Sequence, residues 1–232
     1  MGTSNPTLVA AMLVHNEANR YLSMVLADLE TYCDRIVILD DGSKDATPAV
    51  CQSFSRVVFY RHEENLFWKN ESFLRTKLWN LVLAQNPDWI LAIDADEMLE
   101  KRFRQEKQRL LTQNDHDVLS VRLYEFWGSL THYRVDKLWN PDPKLTPMLV
   151  RNRRGKAYHW LQQPLHCGRI PTALGPPYFT GLRCKHFGYA NKADHRPKYE
   201  KYVAHDPDGR FSPMSHYHSI LDENPVLEKW QD

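Results

Sequence analysis

Residues 89–97 read WILAIDADE, an apolar run that ends in acidic side chains. An apolar run of this length, bounded by polar residues, predicts a buried strand over residues 89–93. Asp94 and Asp96 follow that strand directly, two positions apart. Two carboxylates at this spacing can bind one hard cation, directly or through water, whereas an isolated pair is more often a solvated turn. The strand in front of the pair favours a Mg²⁺ or Mn²⁺ site here.

The chain upstream of this run alternates apolar runs with amphipathic stretches. It predicts strands over residues 7–14, 35–39 and 57–60, and helices over about residues 18–32, 46–54 and 72–84. This alternation is typical of an α/β fold with a mostly parallel, twisted sheet and helices on both faces. Ligands of such sheets bind at the carboxyl ends of the strands, so the residues after each strand are the candidates for a site.

The second half of the chain has a different pattern. A charged helix is predicted over about residues 100–112 and an alternating strand over residues 118–126, followed by a region rich in Trp and Pro with little helical signal. This pattern predicts a smaller, antiparallel, loop-rich half. We therefore divide one domain into residues 1–112, residues 113–190 and a C-terminal tail, residues 191–232, that packs on the site.

Polar and acidic residues also follow the first two predicted strands. His15, Asn16 and Glu17 come after the first, and Asp40 and Asp41 come after the second. A carboxylate at a strand end can accept hydrogen bonds from a nucleobase N–H or a ribose hydroxyl. We prefer Asp41 for the base contact and Asp40 for support of the turn. Glu17 either touches the ribose or stabilises the start of the following helix through its dipole.

Two basic side chains are further candidates. Arg75 lies on the helix before the acidic strand end, where its guanidinium can reach a diphosphate with two hydrogen bonds or serve as a surface cation. His186 lies in the string KHFGYA, residues 185–190. A neutral imidazole suits a cation such as Mn²⁺, although a single histidine is more often an ordinary core or surface residue.

The composition of the 232 residues is that of a globular protein, with 42% hydrophobic and 25% charged residues. The net charge of +1 gives no general attraction to nucleic acid or to membranes. The four cysteines form no C-x-x-C pair, which argues against a zinc ribbon. We find neither a signal-peptide pattern nor an apolar stretch long enough to span a membrane, and expect a cytoplasmic protein with no transmembrane segment.

Glycine-rich phosphate-binding motifs are missing from the sequence. It contains neither G-x-x-x-x-G-K-[ST] nor G-x-G-x-x-G, and it has no G-x-S-x-G nucleophile motif. A bound diphosphate would therefore need a metal ion to balance its charge, and the pair of Asp residues can hold one.

Four strings of the first half resemble family 2 glycosyltransferases of GT-A fold. They are LVHNEA (13–18), ILDDGSKDAT (38–47), the helix segment 75–80 and WILAIDADE (89–97). In the second half, HYRVDKLWN (132–140), PLHCGR (164–169) and KHFGYA (185–190) are similar to a bacterial-type subgroup of that family. The resemblance implies a GT-A fold, a nucleoside diphosphate sugar of UDP or GDP type, a Mn²⁺ or Mg²⁺ ion, and inversion at the anomeric carbon.

The resemblance also implies roles for particular residues. Asp41 would contact the base, Asp94 the ribose or the metal, and Asp96 would be the chief metal ligand. Ala95 would lie against the donor together with His15, Asn16 and Glu17. Arg75 would lie near the base or the diphosphate, and His186 would approach the metal or the diphosphate from the C-terminal side.

The catalytic base is the point at which this chain departs from the members of the family that it resembles. Many of them have His-Glu where this sequence has His166-Cys167, and a cysteine does not replace a carboxylate base. An inverting transfer needs a base that deprotonates the acceptor hydroxyl. Three candidates are open: Glu125 at a strand end, Asp136, which alternatively forms a salt bridge, and His166.

Aromatic residues are dense in the second half, where Trp127, Tyr133, Trp139 and Trp160 fall close together. Aromatic rings can stack on the face of an acceptor sugar, or they can form a core between the two halves. Two other classes of function also stay open: a nucleotidyltransferase or phosphatase on a similar sheet, and a nucleotide-sugar binder that has lost its base.

Overall fold

The computed structural model describes residues 5–163 and 166–232, and in them one mixed sheet is covered by helices. The strands are β1 Leu8–Val14, β2 Arg35–Asp41, β3 Val57–His62, β4 Trp89–Ala92, β5 Glu97–Leu99, β6 Val118–Trp127, β7 His132–Arg134, β8 Leu145–Arg151, β9 Tyr178–Tyr189 and β10 Leu227–Lys229. The helices are α1 Leu22–Leu29, α2 Thr47–Gln52, α3 Glu71–Leu83, α4 Arg102–Thr112, α5 His195–His205 and α6 Met214–His218, with single 3₁₀ turns at Lys192–Asp194 and Ser219–Leu221.

The first half forms the parallel sheet that the sequence predicts, with strand order β3-β2-β1-β4. Strand β1 shows why both faces are covered. Leu8 and Met12 point into a core shared with α1, whereas Val9 and Ala11 point into a second core shared with α3. Burying an aliphatic side chain of this size on folding contributes about 1.5–3 kcal/mol. The predicted α/β fold class is confirmed.

The second half extends the same sheet. The sequence predicts an antiparallel half, but one of its strand pairs is parallel. Strand β8 pairs antiparallel with both β4 and β6. Strand β9, however, runs parallel to β6, from the pair Leu119 and Tyr178 to the pair Trp127 and Tyr189. Polar residues interrupt β9, so its sequence gives little indication of a strand. The long segment between β8 and β9 allows the chain to cross back so that β9 runs parallel to β6.

The C-terminal helices are held against the sheet by an aromatic cluster. Trp127 and Tyr189, from β6 and β9, pack with Trp139 and Ile220. Tyr202 on α5 packs on the same cluster. Helix α5 therefore lies beside the carboxyl ends of the strands. Within the described residues, no helix has the length and apolar character that crossing a membrane requires.

Candidate active site

The carboxyl ends of β1, β2 and β4 meet at a cavity of about 270 Å³, here called the strand-end cavity. Eight of the predicted site residues line it: His15, Glu17, Asp41, Arg75, Asp94, Ala95, Asp96 and His186. Helix α5 closes one side of this cavity with Lys198 and Tyr202. No sequence pattern indicates these two residues, because only the tertiary fold brings α5 to the strand ends.

The two neighbouring carboxylates of β2 have different environments. Asp41 lies in the cavity wall, and its oxygens accept hydrogen bonds from the backbone N–H groups of Leu66 and Phe67, each at 2.9 Å. Asp40 is fully buried, and its Oδ1 accepts hydrogen bonds from the backbone N–H, at 3.2 Å, and the hydroxyl, at 2.5 Å, of Ser43. Asp40 thus stabilises the turn, while Asp41 faces the cavity.

The turn after β1 is fixed to the end of β2. Asn16 has a positive φ of 56°; its backbone N–H donates to Ser43 Oγ at 2.8 Å and its Oδ1 accepts from Lys44 N–H at 2.8 Å. His15 donates through Nδ1 to the carbonyl oxygen of Asp41 at 2.8 Å. Burial raises the pKa of Glu17 to about 7. The turn therefore presents a half-buried, readily protonated carboxyl group to the cavity.

Asp94 lies between two arginines. Its Oδ1 is 3.9 Å from a terminal nitrogen of Arg75, and its Oδ2 is 3.3 Å from one of Arg169. Arg169 also donates two hydrogen bonds, of 2.5 and 2.8 Å, to the carboxylate of Glu97. Burial alone would lower the pKa of Arg169, but the carboxylates of Glu97 and Asp94 outweigh it and raise that pKa.

Glu97 closes the turn that contains the acidic pair, residues 94–97. Its Oε2 accepts the backbone N–H of Asp94 at 2.9 Å, and its own N–H donates to the Asp94 carbonyl at 3.1 Å. Sequence reasoning did not single out Arg169, although it belongs to the PLHCGR string. Pro164 and Leu165 of that string lie outside the described residues.

His186 lies between two carboxylates. Its Nδ1 forms a hydrogen bond with Glu125, and its Nε2 is 3.4 Å from Asp96 Oδ2. Burial would lower the pKa of His186, but Glu125 and Asp96 raise it well above its usual range. Burial would in turn raise the pKa of Asp96, but His186 lowers it. The three side chains thus form a charged chain across the site.

A divalent cation could lie between Asp96 and His186 if it displaces the Nε2 proton that the neighbouring carboxylates hold on the imidazole. Two atoms that bind one cation at about 2.1 Å lie about 3 Å apart when the angle between them is near 90°. The separation of 3.4 Å between Asp96 Oδ2 and His186 Nε2 is a few tenths of an ångström wider than that distance, so a small movement of either side chain would bring them to it. No group of three metal-binding side chains occurs in residues 5–163 and 166–232. The protein would therefore supply two ligands and leave the others to phosphate oxygens and water.

A second cavity, of about 530 Å³, opens on the other side of Asp94 and His186, and we call it the C-terminal cavity. Both cavities share Asp94, His186 and Tyr202 in their walls. Glu125 and His166, two of the three base candidates, line the C-terminal cavity. The strand-end cavity and the C-terminal cavity therefore meet at Asp94, His186 and Tyr202.

The third base candidate does not fit its position. Asp136 forms a salt bridge with Arg134, which also pairs with Asp222 and donates to the carbonyl of Ser219 at 2.6 Å. Asp136 lines neither of the two cavities. Asp136 instead pairs with the arginine that attaches the C-terminal segment to β7, which favours the alternative of a salt bridge over the role as a base.

Of the four aromatic candidates, only Trp139 lines the C-terminal cavity. Trp127 is 2% exposed and stacks on Tyr189, and Trp160 is 4% exposed and packs on Trp79, 5.5 Å away. Tyr133 donates its hydroxyl to Glu228 at 2.7 Å, outside both cavities. The acceptor role predicted for Trp127, Tyr133 and Trp160 does not fit these positions, because protein covers their faces or they lie away from the cavities.

The sequence matches Glycosyl transferase family 2 over residues 10–167. It is 30% identical over 169 residues to the lipopolysaccharide core biosynthesis glycosyltransferase LpsC of Rhizobium meliloti (strain 1021), a match that covers 70% of this chain and 57% of LpsC. A TPR repeat-containing protein of Synechococcus elongatus is 26% identical over 147 residues, which are 62% of this chain and 34% of that protein. The chain thus spans about half the length, or less, of these relatives.

Two solved structures have a similar fold. Residues 1–349 of TarS from S. aureus superpose with a TM-score of 0.55 at 14% identity, covering 93% of this chain and 69% of that one. The mannosyltransferase PcManGT from Pyrobaculum calidifontis, in complex with GDP-Man and Mn²⁺, superposes with a TM-score of 0.50 at 13% identity, covering 94% and 69%. These similarities show the GT-A fold. The match over residues 10–167 establishes that the chain belongs to glycosyl transferase family 2.

Proposed function

We propose that the chain transfers a sugar from a nucleoside diphosphate sugar to an acceptor hydroxyl, with inversion at the anomeric carbon. One observation carries the proposal: Asp94 and His186 belong to the walls of both cavities. A transferase must bring two substrates together at one point, and two cavities that meet at charged side chains suit that task. The strand-end cavity would take the donor and the C-terminal cavity the acceptor.

Residues of the strand-end cavity have the chemistry that a nucleotide needs. Asp41 would accept hydrogen bonds from the base, in place of those it now accepts from Leu66 and Phe67. Arg75 and Arg169 flank Asp94, and a guanidinium can bind phosphate oxygens with two parallel hydrogen bonds. The donor would be a sugar nucleotide of UDP or GDP type.

Asp96 and His186 would hold a divalent cation, Mn²⁺ or Mg²⁺, with Asp94 beside them. When bound, such a cation neutralises the negative charge that develops on the departing nucleoside diphosphate. Glu125 accepts a hydrogen bond from His186 and thereby fixes the orientation of the imidazole ring. PcManGT is described with GDP-Man and Mn²⁺, which makes Mn²⁺ the first ion to test.

Glu125 is also the base that we propose. It lines the C-terminal cavity next to His186, so its carboxylate can take the proton of an acceptor hydroxyl as the new glycosidic bond forms and the bond to the diphosphate breaks. Burial would raise the pKa of Glu125, but His186 lowers it, so the carboxylate is ionised at neutral pH. His166 lines the same cavity and is the second candidate.

The test is a thermal-shift screen of UDP and GDP with and without Mn²⁺, followed by an assay of nucleoside diphosphate release from the matching sugar donors. A ligand that binds the folded chain raises the melting temperature. We expect Asp96→Ala to lose the Mn²⁺-dependent shift and the release of nucleoside diphosphate. Asp115→Ala, at an exposed position away from both cavities, is the matched control.

Three outcomes would contradict the proposal. Metal-dependent turnover that survives in Asp96→Ala would remove the acidic pair from the reaction. Release of pyrophosphate in place of a nucleoside diphosphate would favour a nucleotidyltransferase. Tight donor binding without turnover on a broad acceptor panel would favour a non-catalytic binder.

A further inference from the structure

The two arginines that flank Asp94 differ in what their guanidinium groups bind. Both terminal nitrogens of Arg169 donate hydrogen bonds to Glu97, at 2.5 and 2.8 Å. Arg75 instead donates through Nε to Glu71 Oε1 at 3.1 Å, and its Nη1 is 3.9 Å from Asp94 Oδ1, too far for a hydrogen bond. Among the residues that the structure describes, the terminal nitrogens of Arg75 therefore have no hydrogen-bond partner.

Glu71 holds Arg75 from outside the strand-end cavity. It is the first residue of α3 and lies about one helical turn before Arg75, so the two side chains meet on one face of the helix. Both are largely buried, with side-chain exposures of 7% for Glu71 and 11% for Arg75. Arg75 lines the strand-end cavity, whereas Glu71 lines neither cavity. Glu71 can therefore act on a ligand only through Arg75.

The bond to Nε leaves the useful edge of the Arg75 guanidinium open. A guanidinium group is planar and carries five N–H donors in fixed directions. Glu71 takes the donor on Nε and thereby fixes the plane, while the terminal nitrogens stay available in the wall of the cavity. Terminal nitrogens held in this way can bind two phosphate oxygens with parallel hydrogen bonds.

The contribution of this pair is one of direction and not of charge. Glu71 and Arg75 cancel each other's charge, and Asp41, Asp94 and Asp96 add negative charge to the same cavity. The charge of a bound diphosphate must then be balanced mainly by the divalent cation. Arg75 supplies oriented donors instead, and a long side chain that is already held in place loses less conformational freedom when a ligand binds.

A neutral thiol lies beside the pair. Cys167 is buried, and burial together with the nearby Glu71 raises its pKa to about 11. The thiol is therefore uncharged at neutral pH. It does not compete with Glu71 for Arg75, as a second carboxylate at this place would.

We propose that Glu71 is a positioning residue, which orients Arg75 so that its terminal nitrogens donate hydrogen bonds to the diphosphate of the donor. The inference rests on the proposed function, because it assigns the diphosphate to the strand-end cavity. Glu71 itself touches neither substrate. Arg169 has a different task, since both of its terminal nitrogens are engaged in holding Glu97.

The experiment measures the dissociation constants of UDP and GDP for the full chain by calorimetry, in the presence of Mn²⁺. Glu71→Met keeps the volume of the side chain but removes the acceptor, and it should weaken binding of the tighter nucleotide about tenfold, as the loss of one charge-assisted hydrogen bond does. Glu71→Gln still offers an oxygen to Arg75 Nε and should bind nearly as tightly as the unchanged chain. Glu106→Met is the matched control, because Glu106 also pairs with an arginine four residues away, Arg102, but lies outside both cavities.

Arg75→Met shows whether Glu71 acts through Arg75. Without Arg75, the further change Glu71→Met should weaken nucleotide binding no more, because the two effects are coupled. The double variant replaces a buried ion pair with two apolar side chains, a change that folded proteins often tolerate. A merely structural role of Glu71 would instead reduce the affinity equally in both backgrounds.

Three results would overturn the positioning role alone: unchanged affinity in Glu71→Met or in Arg75→Met, a loss in Glu71→Gln as large as in Glu71→Met, or an effect of Glu71→Met that persists in the Arg75→Met background. In each of these cases the unchanged chain still binds UDP or GDP. If it binds neither nucleotide with Mn²⁺, the proposed function fails, and the role of Glu71 fails with it.

Discussion

Glu125 and His186 are joined by a hydrogen bond that crosses from β6 to β9, between strands that run parallel to each other. The bond gives Glu125 two possible tasks. It can fix the imidazole ring of His186, whose Nε2 faces Asp96, and it can take a proton from the acceptor. The position of Glu125 in the wall of the C-terminal cavity is compatible with both tasks.

Glu125→Gln separates these two tasks. The amide oxygen of glutamine can still accept the hydrogen bond from His186, but glutamine cannot accept a proton. We expect kcat to fall by about 10²–10⁴-fold, as for the loss of a general base, while the dissociation constant for Mn²⁺ changes little. Steady-state kinetics and a metal titration check this. Asp136→Asn is the control and should retain activity, because that carboxylate pairs with Arg134 and lines neither cavity. Equal losses of kcat in both variants would refute the assignment of Glu125 as the base.

Arg169→Lys tests whether Arg169 is a positioning residue. Lysine keeps the charge but cannot make two parallel hydrogen bonds to Glu97 while it also reaches Asp94. We expect Asp94 to lose its fixed orientation, with a loss of up to about 10²-fold in kcat/KM for the donor. The Mn²⁺-dependent thermal shift with nucleotide should weaken in parallel, a readout that a merely structural role would leave unchanged.

The matched control for that variant is Arg153→Lys. Arg153 also makes two hydrogen bonds to one carboxylate, Asp117, at 3.0 and 2.7 Å, but it lies exposed on the surface. Exposed pairs of this kind contribute little to stability, because solvent and salt screen the two charges. Arg153→Lys should therefore leave both kcat/KM and nucleotide binding unchanged. An equal loss of kcat/KM in the two variants would show that Arg169 does not position Asp94.

The raised pKa of Glu17 predicts that the stability of the folded chain depends on pH. The folded chain holds the Glu17 proton up to a pKa of about 7, because burial raises it from 4.5, whereas the unfolded chain releases that proton near pH 4.5. The free energy of unfolding therefore falls as the pH rises between these two values, by up to about 3 kcal/mol. The charges that face Glu17 are those of Arg20, Asp96, Lys198 and Asp45.

Glu17→Gln should remove this dependence. Measured in EDTA, the melting temperature of the variant should exceed that of the unchanged chain at pH 8, and the difference should shrink to nothing below pH 4.5. Glu63→Gln, at an exposed position, controls for the loss of one negative charge. A melting-temperature difference that does not vary with pH would contradict the raised pKa of Glu17.

The parallel half of the fold and its strand ends could be predicted from the sequence because they depend on local patterns. Apolar runs set β1, β2 and β4, and the polar residues that follow each run must meet at one edge of a parallel sheet. That rule alone brings Asp41, Asp94 and Asp96 to one cavity.

The second half could not be predicted in the same way. The parallel pairing of β9 with β6 depends on contacts far apart in the chain. The same holds for Arg169 and Lys198, which reach the site from a loop and a late helix. Trp127 and Trp160 mislead for a related reason: an aromatic residue in a sequence does not reveal whether protein or solvent covers its face.

Gly42→Ala tests how tightly the strand end that carries Asp41 is built. Gly42 has a φ of 70°, and a Cβ atom there would come within 2.9 Å of the Glu63 backbone carbonyl and 3.0 Å of the Glu64 backbone. Gly155 has a similar φ of 79° but nothing within 4 Å of the same position, so Gly155→Ala carries only the backbone cost of about 1–2 kcal/mol.

We expect Gly42→Ala to cost about 1–3 kcal/mol more than Gly155→Ala, because the segment after β3 has to move away from the new methyl group. Urea unfolding of both variants gives that difference directly. The same segment donates the Leu66 and Phe67 N–H groups to Asp41, so its displacement should also weaken the thermal shift with nucleotide in Gly42→Ala. If the two alanine variants are equally stable, the segment after β3 yields easily, and access of a base to Asp41 would then require little rearrangement.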